Sequence, residues 1–218
     1  MSAERPQKDV TIFIGAVTVL SVLIFAGIFL ILRHSHSHPH ASSLADEPEI
    51  KRELQPFVLT ERSGAEVSRE SVSNKFLVVN FIHTGCSISC EQVNKRMAEV
   101  QRLVANDQDV LLLSLTIDPR SDTPPALVKF ADRFGADANR WLFLTGDKQP
   151  VFDLIESSFL RRDTNVVYQQ FSGGFVGVDK IALVDKTGRV RRYFNGLQSG
   201  APKSIVDSIN EIRSQSSL

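Results

Sequence analysis

The sequence has 218 residues, of which 42% are hydrophobic and 23% charged, and its 25 basic and 25 acidic side chains give a formal net charge of zero. A chain without a basic excess has no electrostatic reason to bind nucleic acid or an acidic lipid surface, which excludes both partner classes. The hydrophobic content is that of a folding protein.

The first predicted element is a membrane span. Residues 10–32 read VTIFIGAVTVLSVLIFAGIFLIL without one charged side chain, and about 20 apolar residues suffice to cross a bilayer as a helix. A cleavable signal peptide has a shorter apolar segment of about 7–15 residues, so a retained transmembrane anchor is favoured. Arg5 and Lys8 precede the run and Arg33 follows it, a weak bias that predicts residues 1–9 in the cytoplasm.

Residues 33–53 are predicted to be a His-rich juxtamembrane linker, followed by one domain over residues 54–218. The linker places His34, His36, His38 and His40 at alternating positions. Imidazoles on an extended chain can capture a soft or borderline cation, and a flexible tether that binds nothing explains the pattern equally well.

The domain alternates strand and helix patterns. A hairpin is predicted around Ser63 and Gly64, and the apolar run FLVVNFI predicts a strand in the middle of a sheet. The further predicted elements are a helix over 90–105, a strand over 110–117, a helix from Thr123 to Gly135, a strand over 141–146, a helix over 149–158, a strand pair turning at 186–188 and a helix over 202–213. This order predicts an α/β fold in which helices flank a central sheet.

Cys86 and Cys90 are the only two cysteines, and they lie between the predicted central strand and the helix that follows it. The dipole and unpaired amides of a helix N-terminus stabilise thiolate. Two thiolates at this spacing can close into a redox-active disulfide or hold one Cu(I) together. A purely stabilising disulfide is the third interpretation, although so short a loop removes little chain entropy.

Two segments resemble the SCO/SenC family, over about residues 57–212: VVNFIHTGCSISC and LLSLTIDPRSDTPPALVKFADRFGADANRWLFLTG. The resemblance implies a thioredoxin-like central sheet with flanking helices and an added β-hairpin, preceded by one transmembrane helix. It also implies copper as the metal, with Cys86 and Cys90 as ligands. The implied function is copper delivery in cytochrome c oxidase assembly, with an oxidase subunit or another copper or thiol protein as partner.

The same resemblance implies a location outside the cytoplasm. The segment before the predicted anchor is short and lacks the Arg-rich pattern of a mitochondrial presequence. We therefore expect the bacterial inner membrane, with a single span and the domain facing the periplasm.

The sequence departs from the family pattern at the copper site. The resemblance implies a histidine ligand in the loop before KIALVD, but the stretch QQFSGGFVGVDK has none, and Glu91 replaces the proline that often follows the second cysteine. The third ligand is therefore unassigned. His83 is one candidate, with a strand-end histidine bonded to backbone as the alternative, and the tract from His34 to His40 is another.

A weakened copper site favours the alternative function, a thiol–disulfide oxidoreductase that acts on partner cysteines.

Three further residues with predicted roles lie in the second of the two segments that resemble the family. Asp118 is predicted either to lie near the metal loop or to cap the turn before Pro119. Asp122 and Thr123 are predicted to cap the following helix.

Overall fold

The computed structural model describes residues 52–85, 88–159 and 178–215, all of which belong to the unit Glu49–Leu218. The predicted anchor, the histidine tract, Cys86 and the loop over 160–177 lie outside the described residues. Within the described ranges, no helix is both long enough and apolar enough to cross a membrane.

The described part of the chain contains eight strands, four α-helices and one short 3₁₀-helix (Glu70–Val72). The strands and α-helices are β1 (Arg52–Glu53), β2 (Val58–Glu61), β3 (Glu66–Ser68), β4 (Phe76–Ile82), α1 (Ile88–Leu103), β5 (Val110–Thr116), α2 (Pro124–Asp132), β6 (Trp141–Thr145), α3 (Lys148–Phe159), β7 (Lys180–Val184), β8 (Arg189–Asn195) and α4 (Ala201–Gln215). The predicted elements are present, and α1 begins at Ile88 rather than at Cys90. The short strand β1 falls in the segment predicted to be linker, because two residues are too few to show a periodicity.

The eight strands form one mixed sheet in the order β1-β8-β7-β4-β5-β6-β2-β3. Strands β4, β5 and β6 are parallel, whereas β7 pairs antiparallel with β4. Helices α1 and α2 connect the parallel strands, so the carboxyl ends of these strands meet at one edge of the sheet. At that edge, the Ile117 N–H donates to the Ile82 carbonyl at 2.8 Å.

Both faces of the sheet are covered, which explains why β4 is apolar nearly throughout. On one face, Phe76, Val78 and Ile82 of β4 join a core with α1, α2 and α4. On the other face, the intervening residues Leu77, Val79 and Phe81 pack with α3 and the β2–β3 hairpin. Alternation of side chains along the strand places Asn80 on the α1 face, where it is fully buried.

Both hairpins turn where the sequence predicts. Strands β2 and β3 pair around Gly64, and β7 and β8 pair around Gly188. These glycines have φ values of +88° and +91°, a conformation that L side chains rarely adopt. The glycine at each turn is therefore required by the backbone.

Candidate thiol and copper site

Cys90 lies in the first turn of α1 with 2% of its surface exposed. The chain enters α1 after the end of β4, so Cys90 is at the carboxyl edge of the parallel strands, as predicted, and in the structure its sulfur is in a disulfide. A helix N-terminus favours the thiolate form of a cysteine once its disulfide is reduced. Cys86 is outside the described residues, so its joint action with Cys90 stays a prediction.

A buried carboxylate fixes the loop that leads to Cys86. Asp122 has no exposed surface, and its Oδ1 accepts hydrogen bonds from the Thr84 backbone N–H at 2.9 Å and the Thr84 hydroxyl at 2.7 Å. Its Oδ2 accepts a further bond from the hydroxyl of Thr116, the last residue of β5. Asp122 thus ties the residue two positions before Cys86 to the neighbouring strand.

The predicted capping role of Asp122 is wrong. Thr123 is the N-cap residue of α2 by its backbone, but its side chain makes no capping hydrogen bond either. Pro124 and Pro125 occupy the first two positions of the helix and have no N–H, so the helix end offers few donors for a cap. The carboxylate of Asp122 is therefore available for the loop that carries Cys86.

Asp118 forms the turn that returns Asp122 to β5. Its carbonyl accepts hydrogen bonds from the backbone N–H groups of Ser121 and Asp122, at 3.1 and 2.9 Å. Its own N–H donates to the hydroxyl of Thr116 at 3.0 Å. This arrangement agrees with the predicted role of Asp118 in the turn, and Asp118 fills that role with its backbone carbonyl and N–H.

His83 directly follows β4 and is half-buried. Its Nδ1 lies 3.7 Å from the point where a Cβ on Gly85 would be, so the ring covers the backbone that leads to Cys86. Within the described part of the chain, no group of three or more His, Cys, Asp or Glu side chains is arranged to hold a metal ion. A ligand role for His83 therefore stays a prediction.

A chain of buried polar side chains ends at Cys90. The indole Nε1–H of Trp141 donates to Ser114 Oγ at 2.8 Å, and the Ser114 hydroxyl donates to Asn80 Oδ1 at 2.6 Å. The Asn80 amide donates to Asn94 Oδ1 at 3.2 Å, and the Asn94 amide donates to the Cys90 carbonyl at 2.8 Å. All four side chains have no exposed surface.

The helix and strand patterns of the sequence do not predict this chain of hydrogen bonds, although the sequence contains a signal for it. Asn80 and Ser114 are polar residues within the apolar runs of β4 and β5, and they are direct partners in the strand register. Asn94 follows Cys90 by one helical turn, which places the two residues on the same side of α1.

Glu91 places a negative charge beside Cys90. Its carboxylate pairs with Lys95 at 2.8 Å and with Arg133, just beyond α2, at 3.7 Å. The hydrogen bond from Lys95, together with the positive charge of that residue, holds the pKa of Glu91 below its ordinary value. Glu91 is exposed, so it links the surfaces of α1 and α2 and adds little to stability.

The family model described as SCO1/SenC matches residues 45–214. The chain belongs to the SCO1/SenC family. Its resemblance to that family is therefore confirmed, and the α/β sheet with flanking helices matches solved Sco structures.

Individual relatives agree with this assignment. The chain is 28% identical over 169 residues to the SCO1 protein homolog of Bacillus subtilis, which covers 76% of this chain and 84% of that protein. The solved structure of BsSco, described as a member of the Sco family of cytochrome c oxidase assembly proteins with a disulfide switch, is 27% identical with a TM-score of 0.65, covering 79% of this chain and 98% of its own. The structure of Bradyrhizobium japonicum ScoI with copper bound shares the fold at 22% identity and a TM-score of 0.57, covering 72% of this chain and 97% of its own.

Proposed function

We propose that this SCO1/SenC protein is a membrane-anchored carrier that binds copper through Cys86 and Cys90 and delivers it during cytochrome c oxidase assembly. The observation that carries the proposal is the position of Cys90 in the first turn of α1, beside a loop that Asp122 fixes to β5. A relative described as an oxidase assembly protein and a copper-bound structure of the same fold support the proposal.

Copper is the cargo in this proposal, and the donor set suits its reduced form. Cys86 and Cys90 supply two soft sulfur ligands, which Cu(I) prefers. The helix N-terminus at Cys90 favours the thiolate form that binds a metal. Both cysteines must be reduced for loading, because the sulfurs of a disulfide are not thiolates. His83 is the candidate third ligand.

The uncharged run over 10–32 supports the anchored arrangement. In this arrangement, residues 1–9 lie in the cytoplasm, residues 33–53 link the span to the domain, and the domain faces the periplasm from the bacterial inner membrane. Protease added to spheroplasts is expected to digest the domain. Protection of the domain, or a mature chain that starts near residue 40, would contradict the arrangement.

The copper proposal is tested by competition with a Cu(I) chelator. We expect the reduced full-length chain to take Cu(I) from the chelator at one equivalent, and the Cys86→Ser and Cys90→Ser variants each to lose this competition. One remaining thiolate holds the ion too weakly against competing ligands. Unchanged Cu(I) affinity in Cys90→Ser would show that the ligands are elsewhere.

A second candidate function is thiol–disulfide exchange with partner cysteines, and the burial of Cys90 favours it. In this reaction the Cys86 thiolate attacks a partner disulfide and forms a mixed disulfide, and one partner sulfur leaves as thiolate. The thiolate of Cys90 then attacks Cys86 Sγ, which releases the second partner sulfur and leaves a Cys86–Cys90 disulfide. The partner gains the two electrons that the two cysteines lose.

The exchange reaction requires Cys86 to react first. In the reduced chain we expect iodoacetamide to modify Cys86 faster than Cys90, because Cys90 is 2% exposed. Peptide mass spectrometry after short reaction times measures the order. Faster modification of Cys90 would remove the exchange mechanism as written.

A further inference from the structure

The buried polar chain from Trp141 to Cys90 has one fixed direction. An indole N–H can donate but not accept, and a backbone carbonyl can accept but not donate. Between these two ends, each hydroxyl or amide accepts one hydrogen bond and donates the next. The buried side-chain atoms without a partner in the described ranges include no atom of Ser114, Asn80 or Asn94.

A contribution to the free energy of unfolding does not by itself account for this chain of buried hydrogen bonds. When both partners of a buried hydrogen bond are replaced by apolar groups of similar shape, the free energy of unfolding can stay nearly unchanged. Strands β4 and β5 are otherwise filled with such apolar groups. A fully satisfied polar network instead holds its members in one arrangement.

The residue at which these hydrogen bonds end, Cys90, indicates which part of the protein they hold in place. The first turn of a helix is where its backbone frays, and Cys90 lies in the first turn of α1. The Asn94 amide joins the Cys90 carbonyl to Asn80 in the centre of β4. The peptide group of the reactive cysteine is thereby tied to a fully buried strand of the sheet.

We propose that Asn94 and Asn80 are positioning residues that hold the backbone of Cys90 in one place, so that disulfide closure with Cys86 and joint ligation of copper cost little conformational entropy. The proposal rests on the proposed function in that it assigns Cys86 and Cys90 to act together. Loss of the Asn94 amide frees the Cys90 turn in the reduced chain, where no covalent bond restrains it. The disulfide then forms less favourably.

The test compares variants of the full-length chain in detergent. Asn94→Ala removes the amide, whereas Asn94→Thr keeps a hydroxyl that can donate to the carbonyl four residues earlier. Ser158→Ala is the matched control, because Ser158 is also fully buried and its hydroxyl accepts the Gln55 N–H at 3.0 Å, outside the Trp141–Cys90 chain. The measurement is the equilibrium constant between the Cys86–Cys90 disulfide and reduced glutathione, together with the urea midpoint of each oxidised variant.

We expect Asn94→Ala to shift this constant about three- to tenfold toward the dithiol, a factor that corresponds to one hydrogen bond. Asn94→Thr should stay within about twofold of the wild type by the same reasoning. Ser158→Ala should lower the urea midpoint and leave the constant unchanged. If Asn94→Ala does not fold, Ser114→Ala takes its place in the test. It interrupts the series of hydrogen bonds at a point further from Cys90 and should shift the constant in the same direction.

Trp141 supplies a second measurement, because it is the only tryptophan and gives a single indole N–H resonance in NMR spectra. Reduction of the disulfide should shift this resonance in the wild type and leave it in place in Asn94→Ala. A variant Asn94→Ala that matches Ser158→Ala in both measurements would overturn the proposal, as would a wild-type chain that forms no Cys86–Cys90 disulfide.

Neither measurement uses copper, so the two proposals can fail separately. If the wild type does not bind Cu(I) but Asn94→Ala still shifts the disulfide constant, copper delivery is contradicted and the positioning role is supported. A chain that binds Cu(I) with unchanged affinity in Asn94→Ala, and with an unchanged disulfide constant, would contradict the positioning role alone.

Discussion

Among single residues, Asp122 has the clearest consequence for the candidate site. It is a fully buried carboxylate whose two oxygens join the loop before Cys86 to the end of β5. Hydrogen bonds to a charged group contribute more than those between neutral groups. The position of the loop therefore depends on this one side chain.

We expect Asp122→Ala to lower the free energy of unfolding by about 2–4 kcal/mol, because the Thr84 N–H and two hydroxyls lose their acceptor. Urea unfolding of the oxidised chain measures the change. Asp132→Ala, which removes an exposed carboxylate from α2, is the control and should stay within about 0.5 kcal/mol of the wild type. Equal urea midpoints for the two variants would show that Asp122 does not hold the loop.

At the scale of elements, the segment after β8 packs closely against α1. A Cβ on Gly196 would lie 2.9 and 3.0 Å from the two Cγ atoms of Val93 and 3.2 Å from the Asp179 carbonyl oxygen. Real Cβ atoms are almost never found so near other heavy atoms, so a larger residue must push the two elements apart.

Gly196→Ala is expected to lower the free energy of unfolding by about 1–3 kcal/mol through this overlap. In a Val93→Ala background the two Cγ atoms are gone, so the same substitution should cost less. A double-mutant cycle from urea unfolding measures the difference. Additive costs of the two substitutions would mean that Gly196 and Val93 do not restrict each other.

The turn between β7 and β8 depends on Asp185, whose side chain accepts four hydrogen bonds. The donors are the N–H and hydroxyl of Thr187, the Arg189 N–H and the Arg191 guanidinium. Burial alone would raise the pKa of Asp185, but these bonds outweigh it and hold the pKa below the ordinary value of 3.8. A carboxylate with a lowered folded-state pKa stabilises the fold above its unfolded-state pKa, and this stabilisation is lost as the pH falls through the folded-state pKa.

Asp185→Asn should therefore be less stable than the wild type near neutral pH, by about 1–3 kcal/mol. The gap between the two proteins should narrow as the pH falls below 3.8, where the wild-type carboxylate takes up its proton. Urea midpoints of both proteins across this pH range provide the measurement. A gap that stays constant over the range would show that ionisation of Asp185 does not stabilise the turn.

Elements with a clear periodicity could be predicted from the sequence, whereas contacts between elements could not. The apolar run of β4 and the spacing of Val93, Met97 and Val100 in α1 are local patterns, and the structure confirms both. Asp122 follows a turn and precedes a helix, so the local pattern predicts that it caps the helix. Its actual partner Thr84 lies 38 residues away and becomes visible only in the folded sheet.

In the candidate site, too, local patterns could be predicted from the sequence, whereas contacts between elements could not. The pairing of Cys86 with Cys90 follows from their spacing and from the family resemblance, and it stays a prediction. The link from Cys90 to Trp141 crosses four elements, and no single segment contains more than two of its members. The register of β4 with β5 brings Asn80 beside Ser114, which a single strand pattern cannot indicate.

At the scale of the whole molecule, the histidines are distributed unevenly along the chain. The sequence has five, and they are His83 and the four residues of the tract from His34 to His40. The loop over 160–177, where the family resemblance implies a ligand, contains none. All histidines of this sequence therefore lie before Cys86.

We expect the tract to supply most of the Cu(II) binding of the full-length chain, because Cu(II) prefers nitrogen ligands more strongly than Cu(I) does. Replacing all four tract histidines by alanine should weaken Cu(II) binding by about tenfold or more, while Cu(I) binding by the reduced cysteines should stay unchanged, since soft thiolates hold that ion.

His83→Ala should alter Cu(II) binding little if His83 only forms hydrogen bonds at the end of the strand, and Gly177→His in the tract-free chain should raise the Cu(II) affinity. The measurement is a calorimetric Cu(II) titration of each variant beside the Cu(I) competition. Tight Cu(II) binding that survives removal of the tract and disappears with His83→Ala would instead make His83 the third ligand.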